Sequence, residues 1–223
     1  MSLIKLECAE KIIEQMKKNV CKIKIGPMQG TGFFCKIPVP IPEYQNLPVL
    51  ITNNHVINEE LLNEEDGKIS LSIKADSNLK ELYLKDRIKF TNKEYDITII
   101  ELKPDDEICD FLELDDIIVD SIISDKIENK IFIDENIYIL EYVAGELSYS
   151  TGVLKNIYEN KQYLFNHLCR TGSGSAGSPI LKVNTNKVIG IHHSLVMNQK
   201  SGRGTFLNYP LKEFFAMVKN QKK

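Results

Sequence analysis

Apolar positions recur with a helical period near the start of the chain. Residues 3 to 17 place their apolar side chains largely on one face of a helix, with lysines and glutamates on the opposite face. We predict an N-terminal helix that packs this face on the body of the protein, with docking of a partner as the alternative. The predicted apolar face consists of Leu6, Cys8, Ala9, Ile12, Ile13 and Met16.

From Val20 to about Leu207 the pattern changes to short apolar runs rich in Ile, Val, Thr, Tyr and Phe, separated by Gly, Pro, Asn and Asp. This spacing predicts an antiparallel all-β sandwich or barrel. After the helix breaker Pro210, residues 211–219 are predicted to form a closing helix. The predicted strands are 20–25, 31–37, 49–52, 69–73, 97–102, 137–141, 148–153, 164–168 and 188–192.

An acidic segment, residues 104–134, divides the predicted strands into two groups. It has the composition of a linker with embedded apolar pieces. We therefore predict five parts in chain order: an N-terminal helix (1–19), a first β-barrel (20–110), a linker (111–135), a second β-barrel (136–209) and a C-terminal helix (210–223).

Composition excludes several classes of protein. The 223 residues carry a formal net charge of −3, without the concentrated basic excess of a nucleic-acid-binding domain. No apolar run approaches the roughly 20 residues that cross a bilayer. An odd number of cysteines without Cys-x-x-Cys spacing, and a start without a basic-then-apolar signal, favour reduced thiols in a cytoplasmic protein. The cysteines are Cys8, Cys21, Cys35, Cys109 and Cys169.

Side chains with catalytic potential fall at the ends of predicted strands. A serine hydroxyl is a poor nucleophile at neutral pH and needs a base such as a neutral imidazole, which a carboxylate in turn orients. The sequence offers a histidine, an aspartate and a serine-rich loop in that order. The motifs are GTGFF (30–34), ITNNHV (51–56, with His55), YDITIIEL (95–102, with Asp96) and TGSGSAGSPI (171–180).

These four motifs in this order resemble the chymotrypsin-like (trypsin-fold) serine protease superfamily, over roughly residues 20 to 215. The resemblance implies two antiparallel six-stranded β-barrels with the active site in the cleft between them. It also implies that His55 is the general base and Asp96 the carboxylate that orients it. The expected substrate is a protein or peptide, with no metal and no cofactor.

The register of the loop decides which residue occupies the nucleophile position. The family pattern is Gly-x-Ser-Gly-(Ser or Gly)-Pro, and taking Pro179 as its last position places Gly174 first and Ala176 at the nucleophile. The backbone N–H groups of Gly174 and Ala176 would then form the oxyanion hole. Three other serines are alternative nucleophiles but fit this pattern less well: Ser173, Ser175 and Ser178. A cysteine nucleophile is disfavoured because Cys169 lies seven residues before the nucleophile position.

An alanine at position 176 has two explanations. Either a serine was changed to alanine to inactivate a working enzyme, or the chain is a natural pseudoprotease that binds peptides or partners without cutting them. The otherwise complete site favours the first explanation. The chain with Ala176 is expected to be nearly inert.

Residues around the loop resemble the specificity pocket of glutamyl endopeptidases and of viral chymotrypsin-like cysteine proteases. Thr171 and His192 would hydrogen-bond a Glu, Asp or Gln side chain before the cleaved bond (P1), and Arg170 would add positive charge. His193 and Ser194 would lie where the substrate backbone pairs as an added strand. Alternatively, His192 merely packs in its strand and Arg170 points to solvent. Regulation, if present, is expected from a partner or from the proline-rich loop 38–48.

Overall fold

A computed structural model describes residues 5–26, 28–39, 46–65, 67–73, 79–124, 126, 129–196 and 201–221. Its helices are α1 (Leu6–Lys18), α2 (Glu59–Asn63), α3 (Asp116–Ile123) and α4 (Asn208–Gln221). The strands before α3 are β1 (Val20–Ile25), β2 (Met28–Ile37), β3 (Leu47–Thr52), β4 (Lys68–Ile73), β5 (Leu79–Tyr83), β6 (Lys89–Asn92), β7 (Ile97–Glu101) and β8 (Leu112–Glu113). The strands after α3 are β9 (Asn136–Val143), β10 (Glu146–Tyr158), β11 (Lys161–His167), β12 (Pro179–Lys182), β13 (Val188–Val196) and β14 (Ser201–Phe206).

The strands form two successive β units. In the first, the antiparallel order is β5-β4-β1-β2-β3-β7-β6, and β8 pairs in parallel with β2. In the second, β10-β11-β14-β13-β12-β9 closes into a six-stranded barrel. The predicted all-β, double-barrel fold with terminal helices is confirmed, with the difference that the first unit is a curled half-barrel sheet.

The N-terminal helix differs from its prediction in the residues that it buries. Leu6 and Ile13 are exposed, whereas Ile12 and Gln15 are buried. Gln15 is buried because it is hydrogen-bonded: its amide donates to the backbone oxygen of Asn186, and its carbonyl accepts from the Tyr138 hydroxyl. The helix therefore packs on the second barrel with a mixed polar and apolar contact.

The acidic segment is folded onto both β units. Near the start of this segment, the Arg87 guanidinium donates two hydrogen bonds of 2.6 and 2.7 Å to the buried Asp106 carboxylate. Further along, Asp115 caps α3 and accepts a hydrogen bond from the Thr185 hydroxyl at 2.9 Å. These contacts give the segment fixed attachments on both sides, which its composition alone did not indicate.

The last helix begins earlier than predicted. α4 starts at Asn208, so Pro210 lies in its first turn, where the missing N–H costs no helical hydrogen bond. Asn208 is buried and its amide donates to Ser121 and Asn129. Of the proline-rich loop 38–48, residues 40–45 lie outside the described part. Within the described residues, no helix has the length and apolar character needed to span a membrane.

Candidate active site

His55 lies in the turn after β3, with Asp96 directly against it. The imidazole Nδ1 is 2.7 Å from Oδ2 of Asp96, and the backbone N–H of His55 donates to Oδ1 at 2.9 Å. The Asn53 amide donates to the backbone oxygen of Asp96 at 2.7 Å. Asp96 itself ends the tight turn between β6 and β7 with φ +50°, a conformation that Asp tolerates better than most residues. The two predicted partners are therefore brought together by both backbone and side-chain contacts.

The environments of these two side chains differ sharply. Asp96 is 8% exposed and the His55 side chain 51% exposed. Burial raises the pKa of Asp96, but the hydrogen bond from His55 and the charges of His55 and His193 outweigh it, so the pKa lies below the usual range. Asp96 is thus a buried carboxylate that stays ionised at neutral pH, next to an imidazole that reaches solvent.

Glycines shape the loop at residues 171–180. Gly174 has φ +95° and Gly177 has φ +88°, in the left-handed region. A Cβ on Gly177 would lie 2.0 Å from the backbone oxygen of Thr31, and one on Gly174 would lie 2.8 Å from that of Tyr142. The glycines that matched the sequence pattern are therefore required both by conformation and by close packing.

Two buried threonines, which the sequence analysis did not single out, join this loop to the first sheet. Thr31 donates its backbone N–H to the Ala176 oxygen and its hydroxyl to the Gly174 oxygen, each at 2.8 Å. The Thr52 hydroxyl donates to the Thr31 oxygen at 2.8 Å. The available signal was their position inside two of the quoted motifs, Thr31 in GTGFF (30–34) and Thr52 in ITNNHV (51–56).

Ala176 lies between these anchors. It packs against the apolar cluster of the first sheet that includes Val56, the neighbour of His55. The adjacent Gly177 N–H donates to the His192 oxygen at 3.1 Å. Among the described residues, the N–H groups of Gly174 and Ala176 donate no hydrogen bond. These are the two donors that the resemblance assigns to an oxyanion hole.

The other serines of the loop are used structurally or lie on its outside. Ser175 is 2% exposed and its hydroxyl donates to the Gly172 oxygen at 2.7 Å. Ser178 is fully buried, whereas Ser173 is exposed. Cys169 is buried, and burial raises the pKa of its thiol, which disfavours the reactive thiolate.

The predicted specificity residues are spread over two places. Thr171, whose buried Oγ1 has no partner among the described residues, lines a groove of about 870 Å³ together with the exposed Arg170 and residues of β10. His192 does not line this groove. It is 1% exposed, and its Nδ1 lies 3.0 Å from Nε2 of the buried His167.

Both histidines of this pair are held neutral. Burial lowers the pKa of His167 to about 4. Burial, followed by the charges of His167, His193 and His55, places the pKa of His192 well below its usual value. At neutral pH the pair therefore carries no positive charge.

The two remaining predicted residues, His193 and Ser194, follow on β13. The His193 ring is turned towards Asp96, with Nε2 3.3 Å from Oδ2. Its Nδ1 lies 3.0 Å from the Ser194 hydroxyl. Both residues were predicted to lie where the substrate backbone pairs, and the contact of His193 with Asp96 was not predicted.

Glu141 is a buried residue whose carboxyl group lies beside the groove that Thr171 lines. It is 2% exposed, and its Oε2 has no hydrogen-bond partner among the described residues. Burial raises its pKa to about 7. In an unfolded chain a glutamate titrates at about pH 4.3. The folded protein therefore holds an extra proton between these two pH values.

This difference predicts a pH-dependent effect of Glu141→Gln on stability. The stabilisation from the neutral carboxyl is present at pH 4 and lost as the pH rises through about 7. Between pH 4 and pH 8, urea unfolding should show the variant gaining roughly 3 kcal/mol relative to the parent. Glu146→Gln, an exposed change in the same groove, is the control and should show no such trend. Parallel pH curves for the parent and Glu141→Gln would contradict the assignment.

Comparisons with known proteins identify the family and agree with the fold. The model of the family described as "Trypsin-like peptidase domain" matches residues 30–191. Because the match covers more than half of the chain, the protein belongs to the trypsin-like peptidase family, a family of serine proteases. A search of curated protein sequences finds no match.

Solved structures share the fold at low sequence identity. The protease Rv3671c of Mycobacterium tuberculosis, as a serine-to-alanine mutant in its inactive form, is 11% identical with a TM-score of 0.64, covering 100% of this chain and 98% of that one. The active form of that protease is 12% identical with a TM-score of 0.63, covering 96% and 87%. A serine endoprotease from Yersinia pestis is 10% identical with a TM-score of 0.64, covering 95% and 67%.

Proposed function

We propose that the chain is a serine endopeptidase with a Ser-His-Asp mechanism in which Ala176 replaces the nucleophilic serine. The observation that carries this proposal is the contact of 2.7 Å between His55 Nδ1 and the buried, ionised Asp96. Such a contact fixes the imidazole tautomer with its proton on Nδ1, which leaves Nε2 free to accept a proton. A histidine with only a packing role does not require a buried, ionised carboxylate at its Nδ1.

The mechanism follows from these positions. A serine hydroxyl at position 176 would attack the carbonyl carbon of the substrate while His55 Nε2 takes its proton. Asp96 stabilises the imidazolium, and the N–H groups of Gly174 and residue 176 hold the developing oxyanion. His55 then gives the proton to the leaving amine, and water releases the acyl group by the same steps.

Covalent labelling tests this proposal directly. The Ala176→Ser variant should react with a fluorophosphonate at residue 176, as read by mass spectrometry of the digested protein, because an activated serine attacks the phosphorus. The parent chain should remain unlabelled there, and Ala176→Ser combined with His55→Ala should label far more slowly. An unlabelled Ala176→Ser variant that is correctly folded would favour the second candidate, a peptide-binding pseudoprotease, which the presence of Ala176 supports.

We infer that the residue before the cleaved bond is Glu, Asp or Gln. The Thr171 hydroxyl, which has no partner among the described residues, supplies a hydrogen bond to a carboxylate or carboxamide in the groove that it lines, whereas the buried, neutral His192 lies outside that groove and contacts His167. Among the residues proposed to bind the P1 side chain, Arg170 carries the positive charge, which favours an acidic P1 side chain. A protein or peptide substrate and a possible regulatory partner belong to the same proposal.

A peptide library with varied P1 residues tests this specificity. With the Ala176→Ser variant, mass spectrometry should show cleavage after Glu, Asp or Gln. Adding Arg170→Gln should lower the preference for Glu over Gln, because the cation is removed and the hydrogen-bonding groups stay. Lys36→Gln, in the first sheet, is the matched loss of one charge and should leave the preference as it was. Cleavage after Lys or Arg would overturn the inference.

A further inference from the structure

The side chain of His193 joins the second barrel to the aspartate of the proposed triad. Its Nε2 is 3.3 Å from Asp96 Oδ2, the same oxygen that His55 Nδ1 approaches at 2.7 Å. The ring centroids of the two histidines are 6.2 Å apart. One buried carboxylate oxygen therefore faces two imidazoles, one from each β unit.

A strand irregularity brings His193 to this position. The pairing of β13 with β14 shifts register between His192 and Ser194, so that His193 is the extra residue. Such a bulge re-aims a side chain that regular alternation would direct elsewhere. His192 points into the barrel, where it contacts His167, and His193 points to Asp96.

Several groups act on the ionisation of His193. Burial lowers its pKa, Asp96 opposes this, and His55 and Arg203 lower it further; the buried neighbour His192 is neutral. The result is a pKa below the usual value, so His193 is neutral at neutral pH. A neutral ring has one N–H, and because the ionised Asp96 can only accept, we place that N–H on Nε2, 3.3 Å from Oδ2; Nδ1 is then the acceptor for the Ser194 hydroxyl at 3.0 Å.

We propose that His193 is a positioning residue of the active site, donating its Nε2–H to Asp96 and so fixing the carboxylate that orients His55. Its catalytic consequence depends on the proposed protease function, but the contact itself does not. Because His193 belongs to the second barrel and the other two residues to the first, this contact links the orientation of the Asp96 carboxylate to the packing of the two units.

Nuclear magnetic resonance of the chain with Ala176 tests the contact without any activity. The ¹⁵N shifts of His193 in the parent should show the tautomer with its proton on Nε2, and Ser194→Ala should weaken that preference. A His193 ring protonated on Nδ1 instead would overturn the proposal. The tautomer of His193 in the parent chain decides the point without requiring any variant to fold.

The low-field proton of the His55–Asp96 hydrogen bond gives a second readout. It should persist in His193→Gln, whose amide also donates, and be shifted upfield or lost in His193→Leu, which fills the space without a donor. Backbone spectra check that each variant is folded. If His193→Gln and His193→Leu change this proton equally, His193 only fills space and the proposal is wrong.

Kinetics in the Ala176→Ser background separate positioning from substrate contact. His193→Leu should lower kcat about tenfold with little change in KM, and His193→Gln should retain most of kcat. A rise in KM at constant kcat would instead show a contact with substrate. If the Ala176→Ser variant has no activity, the proposed function fails, and the resonance measurements still decide the role of His193.

Discussion

Introducing a serine at position 176 is expected to raise peptide hydrolysis by on the order of a millionfold over the present chain. The reason is that every other element of the proposed mechanism is already in place. His55 is held by Asp96 through two hydrogen bonds, and the Gly174 N–H has no acceptor among the described residues. The measurement is kcat/KM of Ala176→Ser on a peptide cleaved in the library, with the parent chain under the same conditions.

Two further variants test whether the gain in hydrolysis depends on the proposed triad. Combining Ala176→Ser with His55→Ala should return activity to nearly the level of the parent, because triad members act as a unit. Combining it with Ser175→Ala should lower activity by less than about tenfold, because the Ser175 hydroxyl only braces the loop through Gly172. Equal activity of the parent and the Ala176→Ser variant would mean that the nucleophile lies elsewhere or that the site is not catalytic.

Much of the fold follows from local sequence signals. The nine predicted apolar runs each overlap an observed strand, because β-branched and aromatic residues at alternating positions match a half-buried sheet. β5 and β6, at the two ends of the first sheet, were missed because they bury little: β5 fully buries one of its five residues, Leu82, and the four residues of β6 are all partly exposed, which is typical of peripheral strands. β14 was missed because two glycines interrupt its pattern, and one of them, Gly202, is required by the His167 ring packed against it.

Tertiary contacts explain what the sequence could not indicate about the site. The motif identified His55, Asp96 and the glycines of the loop, because their roles depend on local conformation and chain order. The contacts of Thr31 with the loop and of His193 with Asp96 join residues from distant parts of the chain. They depend on strand register and on one bulge, which a single sequence does not determine.

Asp96→Asn in the Ala176→Ser background is expected to lower kcat by about ten thousandfold. The amide would still accept the His55 backbone N–H through its oxygen, so the turn should keep its geometry. Its NH₂ group would then face Nδ1 and stabilise the tautomer with the proton on Nε2. In that tautomer Nε2 of His55 has no lone pair to accept the serine proton, and no buried negative charge stabilises the imidazolium.

Asp86 provides the matched control, because it is exposed and has nearly the same backbone conformation, φ 56° against 50°. Asn tolerates this conformation as well as Asp does, so backbone strain is equal in the two variants. Asp86→Asn should therefore leave kcat within about twofold. The difference in kcat between the two variants then gives the contribution of the Asp96 carboxylate to catalysis. A drop of less than about tenfold for Asp96→Asn would mean that His55 keeps its tautomer without this carboxylate, and the proposed triad would have to be abandoned.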